Sequence, residues 1–172
     1  LIGIIRMKKH RLEDIPFKNN GTYLVLESIE KPGNLGSILR SADAAGVSGL
    51  ILCGKCTDIY NPNVITASTG TVFSMPIAEC PPEQALAWLL KHKIKIISIT
   101  PHAQKIYCDE NLSGAIAVAA GSEQHGLTEF WLKNCGASVR IPMLGTADSL
   151  NVATSTTIIL YEIAKQKKWG RV

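Results

Sequence analysis

Apolar positions in this chain fall into two habits: short runs that are apolar throughout, and longer stretches where they recur every three or four residues. TYLVLES (22–28) is β-branched and aromatic and is bounded by turn residues, which predicts a strand. SGLILC (48–53), IKIISIT (94–100) and GAIAVAAGSE (114–123) read the same way, the last closing in a glycine turn. TVFSMPI (71–77) and SVRIPM (138–143) are expected to be extended. Helical spacing places helices at about 35–45, at 81–93 with Leu86, Leu89 and Leu90 on one face, at 126–135 and at 149–169. NPNVITAS (61–68) predicts a short helix capped by Asn61, with Pro62 at its first position. Strands apolar on both faces that alternate with helices predict an α/β fold, a parallel sheet covered by helices in one domain.

Composition narrows the class. The 172 residues are 46% hydrophobic and 19% charged, as expected of a globular chain. No apolar run approaches the roughly 20 residues of a membrane span. Arg6, Lys8, Lys9 and Arg11 follow the apolar opening instead of preceding it, unlike a signal peptide, so a cytosolic protein is expected. Cys53, Cys56, Cys80, Cys108 and Cys135 are odd in number and show no framework spacing, so structural disulfides are not expected. The net charge of +4 is concentrated at the two ends, in residues 1–21 and in Lys165, Lys167, Lys168 and Arg171. Basic ends on a near-neutral body suit a polyanion such as RNA, or are simply solvated termini.

Three glycine-bearing turns hold the candidate chemistry. In KPGNLGSILRSADAAG (31–46), Asn34 is the expected helix N-cap and Gly46 the terminator. Leu35, Ile38, Leu39, Ala42 and Ala45 share one face, which turns Arg40 away from the core. Arg40 is then either a solvated residue paired with Asp43 or a phosphate ligand. The turn lacks the Lys-Ser/Thr pair of a nucleotide loop and the third glycine of a dinucleotide fingerprint. In the second turn, Gly121 ends a central strand and lets a ligand approach the backbone; Glu123 follows it. In the third, RIPMLGTADSLNVATS, Ser149 is the expected N-cap of the last helix. Asn151 is a poor helix former whose amide both donates and accepts, which suits a substrate hydroxyl or phosphate.

Together NLGSILRSADAAG, AGSEQHGL and RIPMLGTADSLNVATSTTIILYE resemble the three motifs of the SpoU/TrmH-type RNA ribose 2′-O-methyltransferases of the SPOUT superfamily, over roughly residues 22–165. YNPNVITASTGTVF resembles the segment between the motifs. The resemblance implies a C-terminal deep trefoil knot, a homodimer formed through the knot region, and S-adenosylmethionine held by Thr100, Gly121, Ile141 and Leu150. It implies transfer of a methyl group to a ribose 2′-hydroxyl, without a metal, by Arg40, Asn34, Glu123, Ser149 and Asn151. Arg40 would grip the target phosphate and stabilise the forming alkoxide, since a guanidinium is always protonated. Asn34 would orient Arg40 or the ribose, and Glu123 would brace the first motif. Two positions depart from the family pattern, Ala153 replacing a serine and Thr66 a frequent basic residue. Residues 1–21 are expected to be a linker from an RNA-binding domain, leaving 22–172 as the methyltransferase domain and favouring ribosomal over transfer RNA. A redox pair at CGKC (53–56) and a non-enzymatic RNA-binding module are the rival readings. Trp88, Trp131 and Trp169 read as core or interface.

Overall fold

A computed structural model describes residue 7 and residues 10–170. The basic positions Arg6, Lys8, Lys9 and Arg171 lie outside them. Seven strands form one sheet: β1 (Thr22–Glu27), β2 (Gly49–Cys53), β3 (Ile77–Glu79), β4 (Lys95–Ile99), β5 (Lys105–Ile106), β6 (Ile116–Ala120) and β7 (Ala137–Arg140). Their order is β3-β2-β1-β6-β4-β7-β5, and every pairing is parallel. The helices are α1 (Pro32–Ala44), α2 (Pro62–Ser68), α3 (Pro82–Lys91), α4 (Glu129–Asn134) and α5 (Val152–Gln166).

The strands are apolar throughout because both faces are covered. All six residues of β1 are buried. Successive side chains alternate sides, so Leu24 and Leu26 join a core with α1, α2 and α5, whereas Tyr23 and Val25 join a second core with α3 and α4. Trp131 is fully buried in that second core. Tyr23 is also fully buried, and its hydroxyl donates to the Pro16 carbonyl at 3.1 Å and accepts from the Lys18 N–H at 2.8 Å.

Several expectations need correction. α1 begins at Pro32, capped by the extended backbone of Lys31, so Asn34 is not its N-cap. Proline's fixed φ suits the first helical position and starts the helix earlier. Asn34 therefore sits inside the first turn with its side chain released. At α5 the N-cap is Asn151, whose Oδ1 accepts from the Ala153 N–H at 2.9 Å, and Ser149 lies two residues outside. α5 stops at Gln166, and Trp169 is 58% exposed, in a left-handed conformation. Residues Thr71–Phe73 form a 3-10 turn, not a strand, because Thr69 and Gly70 are both left-handed and close α2 abruptly. In α3, Ala85 and Leu89 face the core and Leu90 is 59% exposed. Residues 121–127 are a turn, which leaves α4 shorter than 126–135. The two-residue β5 was not anticipated. The cap at Asn61 is as expected, with its side chain accepting from the Asn63 N–H at 2.9 Å.

Glu110 fastens the far side of the sheet. Its carboxylate meets Lys95 of β4 at 2.6 Å and Lys105 of β5 at 2.8 Å, and its carbonyl accepts from Gln166 of α5 at 3.2 Å. The two lysine hydrogen bonds, Lys105 first, hold the Glu110 carboxyl below its ordinary value of 4.5. A depressed acid stabilises the fold fully above its unfolded value and loses that contribution as pH falls through the lower folded value. Glu110→Gln should therefore cost about 2 kcal/mol at pH 7. Urea unfolding of the two proteins as a function of pH should show the difference shrinking below about pH 4.5.

Candidate active site

A cleft of about 490 Å³ opens at the carboxyl ends of β4 and β6. After β1 the chain leads to β2 on one side, and after the neighbouring β6 it leads to β7 on the other, so the loops diverge between β1 and β6, at the edge of this cleft, where open α/β sheets bind ligands. One wall is Ile99 and Thr100, another the turn from Gly121 to Leu127, and the third the segment from Ser149 to Ser155. Gly121 tolerates no side chain. A Cβ there would overlap the backbone of Gly126 and Leu127. The turn folds that tightly because the Gly126 N–H donates to the Ser122 carbonyl at 2.9 Å and the His125 N–H to Ser122 Oγ at 3.1 Å, with Gly126 left-handed. The bare Gly121 backbone forms the cleft floor, flanked by apolar Ile99, Leu150 and Val152.

Beside this cleft the three motifs are tied together. Asn34 Nδ2 donates to Glu123 Oε1, and Asn151 Nδ2 donates to Asn34 Oδ1 at 3.1 Å. The polarity of this chain follows from its end. The Asn151 oxygen accepts the Ala153 N–H, so its nitrogen faces Asn34. Asn34 must then present its oxygen to Asn151 and its nitrogen to Glu123. Thus α1, the glycine turn after β6 and the start of α5 share one directional string of hydrogen bonds. Releasing Asn34 from capping is what makes the string possible.

Of the expected site residues, Thr100, Gly121, Glu123, Ser149, Leu150 and Asn151 line the cleft, and Asn34 joins them through hydrogen bonds. Ile141 does not line it; its side chain is half-buried against the larger core. Arg40 does not line it either. It is exposed, six residues or about 9 Å along α1 from Asn34. The pair with Asp43 does not form, and Arg40 makes no ion pair among the described residues. Cys53 and Cys56 form no disulfide, and no cluster of three or more His, Cys, Asp or Glu residues is placed to hold a metal among the described residues.

Two residues escaped the sequence reading. Lys31 lines the cleft mouth; its place ahead of the proline-glycine turn was the available signal. Glu27 ends β1 and is only 3% exposed, yet no cation pairs with it among the described residues. Its carboxylate accepts from the Thr128 N–H at 2.7 Å and the Thr128 hydroxyl at 2.9 Å. Thr128 is the N-cap of α4 and follows the Gly121–Leu127 turn, so Glu27 pins the end of that turn. An acid at the end of an apolar strand was the clue.

A parallel α/β sheet with a cleft at its carboxyl edge, walled by three such loops, defines a ligand-binding open α/β fold. The chain belongs to the SpoU rRNA methylase family, whose model matches residues 21–161. It is 33% identical over 99% of its length to the 23S rRNA (uridine(2479)-2′-O)-methyltransferase of Streptomyces viridochromogenes, spanning 62% of that protein. It is 32% identical over 90% of its length to the 23S rRNA (guanosine-2′-O-)-methyltransferase RlmB of Haemophilus ducreyi, spanning 64% of it. The solved SpoU methyltransferase AviRb of S. viridochromogenes, in complex with AdoMet, superposes with a TM-score of 0.90 at 34% identity, over 95% of this chain and 67% of that one.

Glu27→Ala should remove both acceptors of Thr128 and destabilise the fold by about 2 kcal/mol. Hydrogen exchange read by mass spectrometry should show lost protection concentrated in residues 121–128. Glu27→Gln, which keeps an acceptor for the N–H, should restore most of it.

Proposed function

We propose that this protein is an S-adenosylmethionine-dependent RNA methyltransferase that methylates a ribose 2′-hydroxyl, in ribosomal RNA. The observation that carries this reading is the Asn151–Asn34–Glu123 string lying against a cleft floored by Gly121. The relatives named as 23S rRNA 2′-O-methyltransferases favour ribosomal RNA over transfer RNA. The cleft residues suit the cofactor. The Gly121 backbone at the cleft floor offers hydrogen bonds to an adenine, Leu150 and Ile99 offer apolar contact to its faces, and Thr100 lies at the strand end beside them. When bound, S-adenosylmethionine supplies a methyl group made electrophilic by its sulfonium.

The protein's own residues then have to orient the hydroxyl and manage its proton. Glu123 keeps one carboxylate oxygen engaged by Asn34, which fixes the side chain and leaves the other oxygen available to a ribose. Asn151 gives one N–H to Asn34 and accepts the Ala153 N–H, so it positions Asn34 and keeps its second N–H for the substrate. Ser149 is exposed at the cleft rim and makes no hydrogen bond among the described residues, which suits contact with a phosphate. Arg40 grips the target phosphate and stabilises the developing alkoxide, with phosphate or water taking the proton.

Because Arg40 lies off its own chain's cleft, we infer that a second copy delivers it, in a homodimer closed through the C-terminal region. The outward placement of Arg40 on α1, and the exposure of Tyr161 on the neighbouring α5, support that arrangement. A trefoil knot belongs to the same reading; it is supported by β7 lying between β4 and β5 before the chain returns to Asn34. A cytoplasmic setting follows from the substrate. In the described residues no helix is long and apolar enough to cross a membrane.

Calorimetric titration with S-adenosylmethionine should show one site per chain, and mapping of 2′-O-methylation in cells with and without the protein should show one ribosomal nucleotide losing its mark. Arg40→Lys should keep cofactor affinity and lower turnover about 100-fold or more. Unchanged turnover would refute the role given to Arg40, and absence of cofactor binding by the unmodified protein would refute the reading as a whole.

A further inference from the structure

The CGKC stretch does not make the pair its spacing suggests. Cys56 turns its thiol onto the backbone, donating to the carbonyls of Cys53 at 3.4 Å and Leu26 at 3.8 Å. Strand register brings Cys53 a different neighbour. Leu52 of β2 pairs with Glu79 of β3, and the Cys80 N–H donates to the Leu52 carbonyl at 3.1 Å. The next pair along these strands is therefore Cys53 with Cys80. Both lie on the α3–α4 side of the sheet, Cys53 within that core and Cys80 packed against it. Paired strands sit about 4.8 Å apart, inside the roughly 4.4–6.8 Å separation of α-carbons that a disulfide accepts.

We propose that Cys53 and Cys80 are a thiol oxidation site, closing reversibly into a cross-strand disulfide at the expense of a small-molecule disulfide such as oxidised glutathione. Cys80 is half-buried and Cys53 is buried, so the oxidant meets Cys80 first. The neighbouring Cys53 thiol lowers the Cys80 thiol. Cys80 beside it and burial raise the Cys53 thiol. That division suits Cys80 as the attacking thiolate and Cys53 as the resolving thiol. The Cys80 thiolate attacks one sulfur of the oxidant, breaking its S–S bond, forming a mixed disulfide and releasing one thiolate. Cys53 then loses its proton to water and attacks the Cys80 sulfur, releasing the second thiolate. Two protein thiols lose two electrons, and the oxidant leaves as two thiols. Such transient bonds are the kind expected in a reducing compartment. The link closes a loop over residues 54–79 beside Glu27, which pairs with Cys53 on its other edge.

The test is incubation of the full chain with oxidised or reduced glutathione, followed by intact mass and peptide mapping under non-reducing conditions. Expected is a loss of two hydrogen masses with a Cys53–Cys80 peptide. The midpoint of thermal unfolding should rise by roughly 5 °C and return on reduction. Cys56→Ser should keep the link and Cys80→Ser should abolish it. A Cys53–Cys56 peptide, a mixed disulfide persisting at Cys80, or unmodified thiols in the wild-type chain would each overturn the proposal. The wild-type map decides it even where a variant fails to fold.

Discussion

The structure of the site depends on one string of hydrogen bonds, running from the Ala153 N–H through Asn151 and Asn34 to Glu123. Its members come from positions 89 and 117 residues apart in the chain. An amide has distinct donor and acceptor ends, so capping α5 with the Asn151 oxygen dictates the orientation of every later member. A helix cap, ordinarily a local device, here sets which atom reaches a carboxylate on another loop. The string also spares the Asn34 amide and one Glu123 oxygen from being left unpaired in a half-buried position, where an unmade hydrogen bond is costly.

The sheet makes that string reachable. Covering both faces confines solvent access to the strand ends, and the strand order parts the loops above β1 and β6. Gly121 and Glu27 then shape the same turn from opposite ends. Gly121 permits the turn to fold onto its own backbone, and Glu27 holds the residue where it re-enters a helix. Both act on the turn that carries Glu123.

Apart from β5 and the 3-10 turn at Thr71–Phe73, the strands and helices are legible in the sequence because each announces itself over a few consecutive residues, as does the Asn61–Pro62 helix start. Where two local signals competed, the stronger had to be known. Pro32 and Asn34 both mark a helix N-terminus, as do Ser149 and Asn151. Choosing wrongly in each case hid the fact that Asn34 is free for the site and Asn151 is the cap. Gly121, Glu123, Ser149 and Asn151 stand out in their own turns, Thr100 and Leu150 come only through the family resemblance, and all six line one cleft. Glu27 and the Cys53–Cys80 pair were not visible, since their partners are set by strand register across the sheet. Arg40 was correctly read as facing away from the core, but nothing local reveals how far that takes it from its own cleft.

That distance bears on the charge of the site. Glu123 is the one carboxylate lining the cleft among the described residues, and Lys31 is the one Lys or Arg. A phosphate entering on the proposed reading meets the carboxylate in a partly desolvated space, where like charges repel more strongly than in water. Asn34 covers one carboxylate oxygen without neutralising it, and Lys31 at the mouth is a point charge on a long stem. A planar guanidinium suits both a phosphate edge and a nascent alkoxide, because its donors are fixed in one fork. Arg40 has that chemistry and makes no ion pair among the described residues, but on its own chain it lies off the cleft. On the proposed reading, a site that carries its negative charge in one chain and receives its guanidinium from another is assembled only when two chains pair.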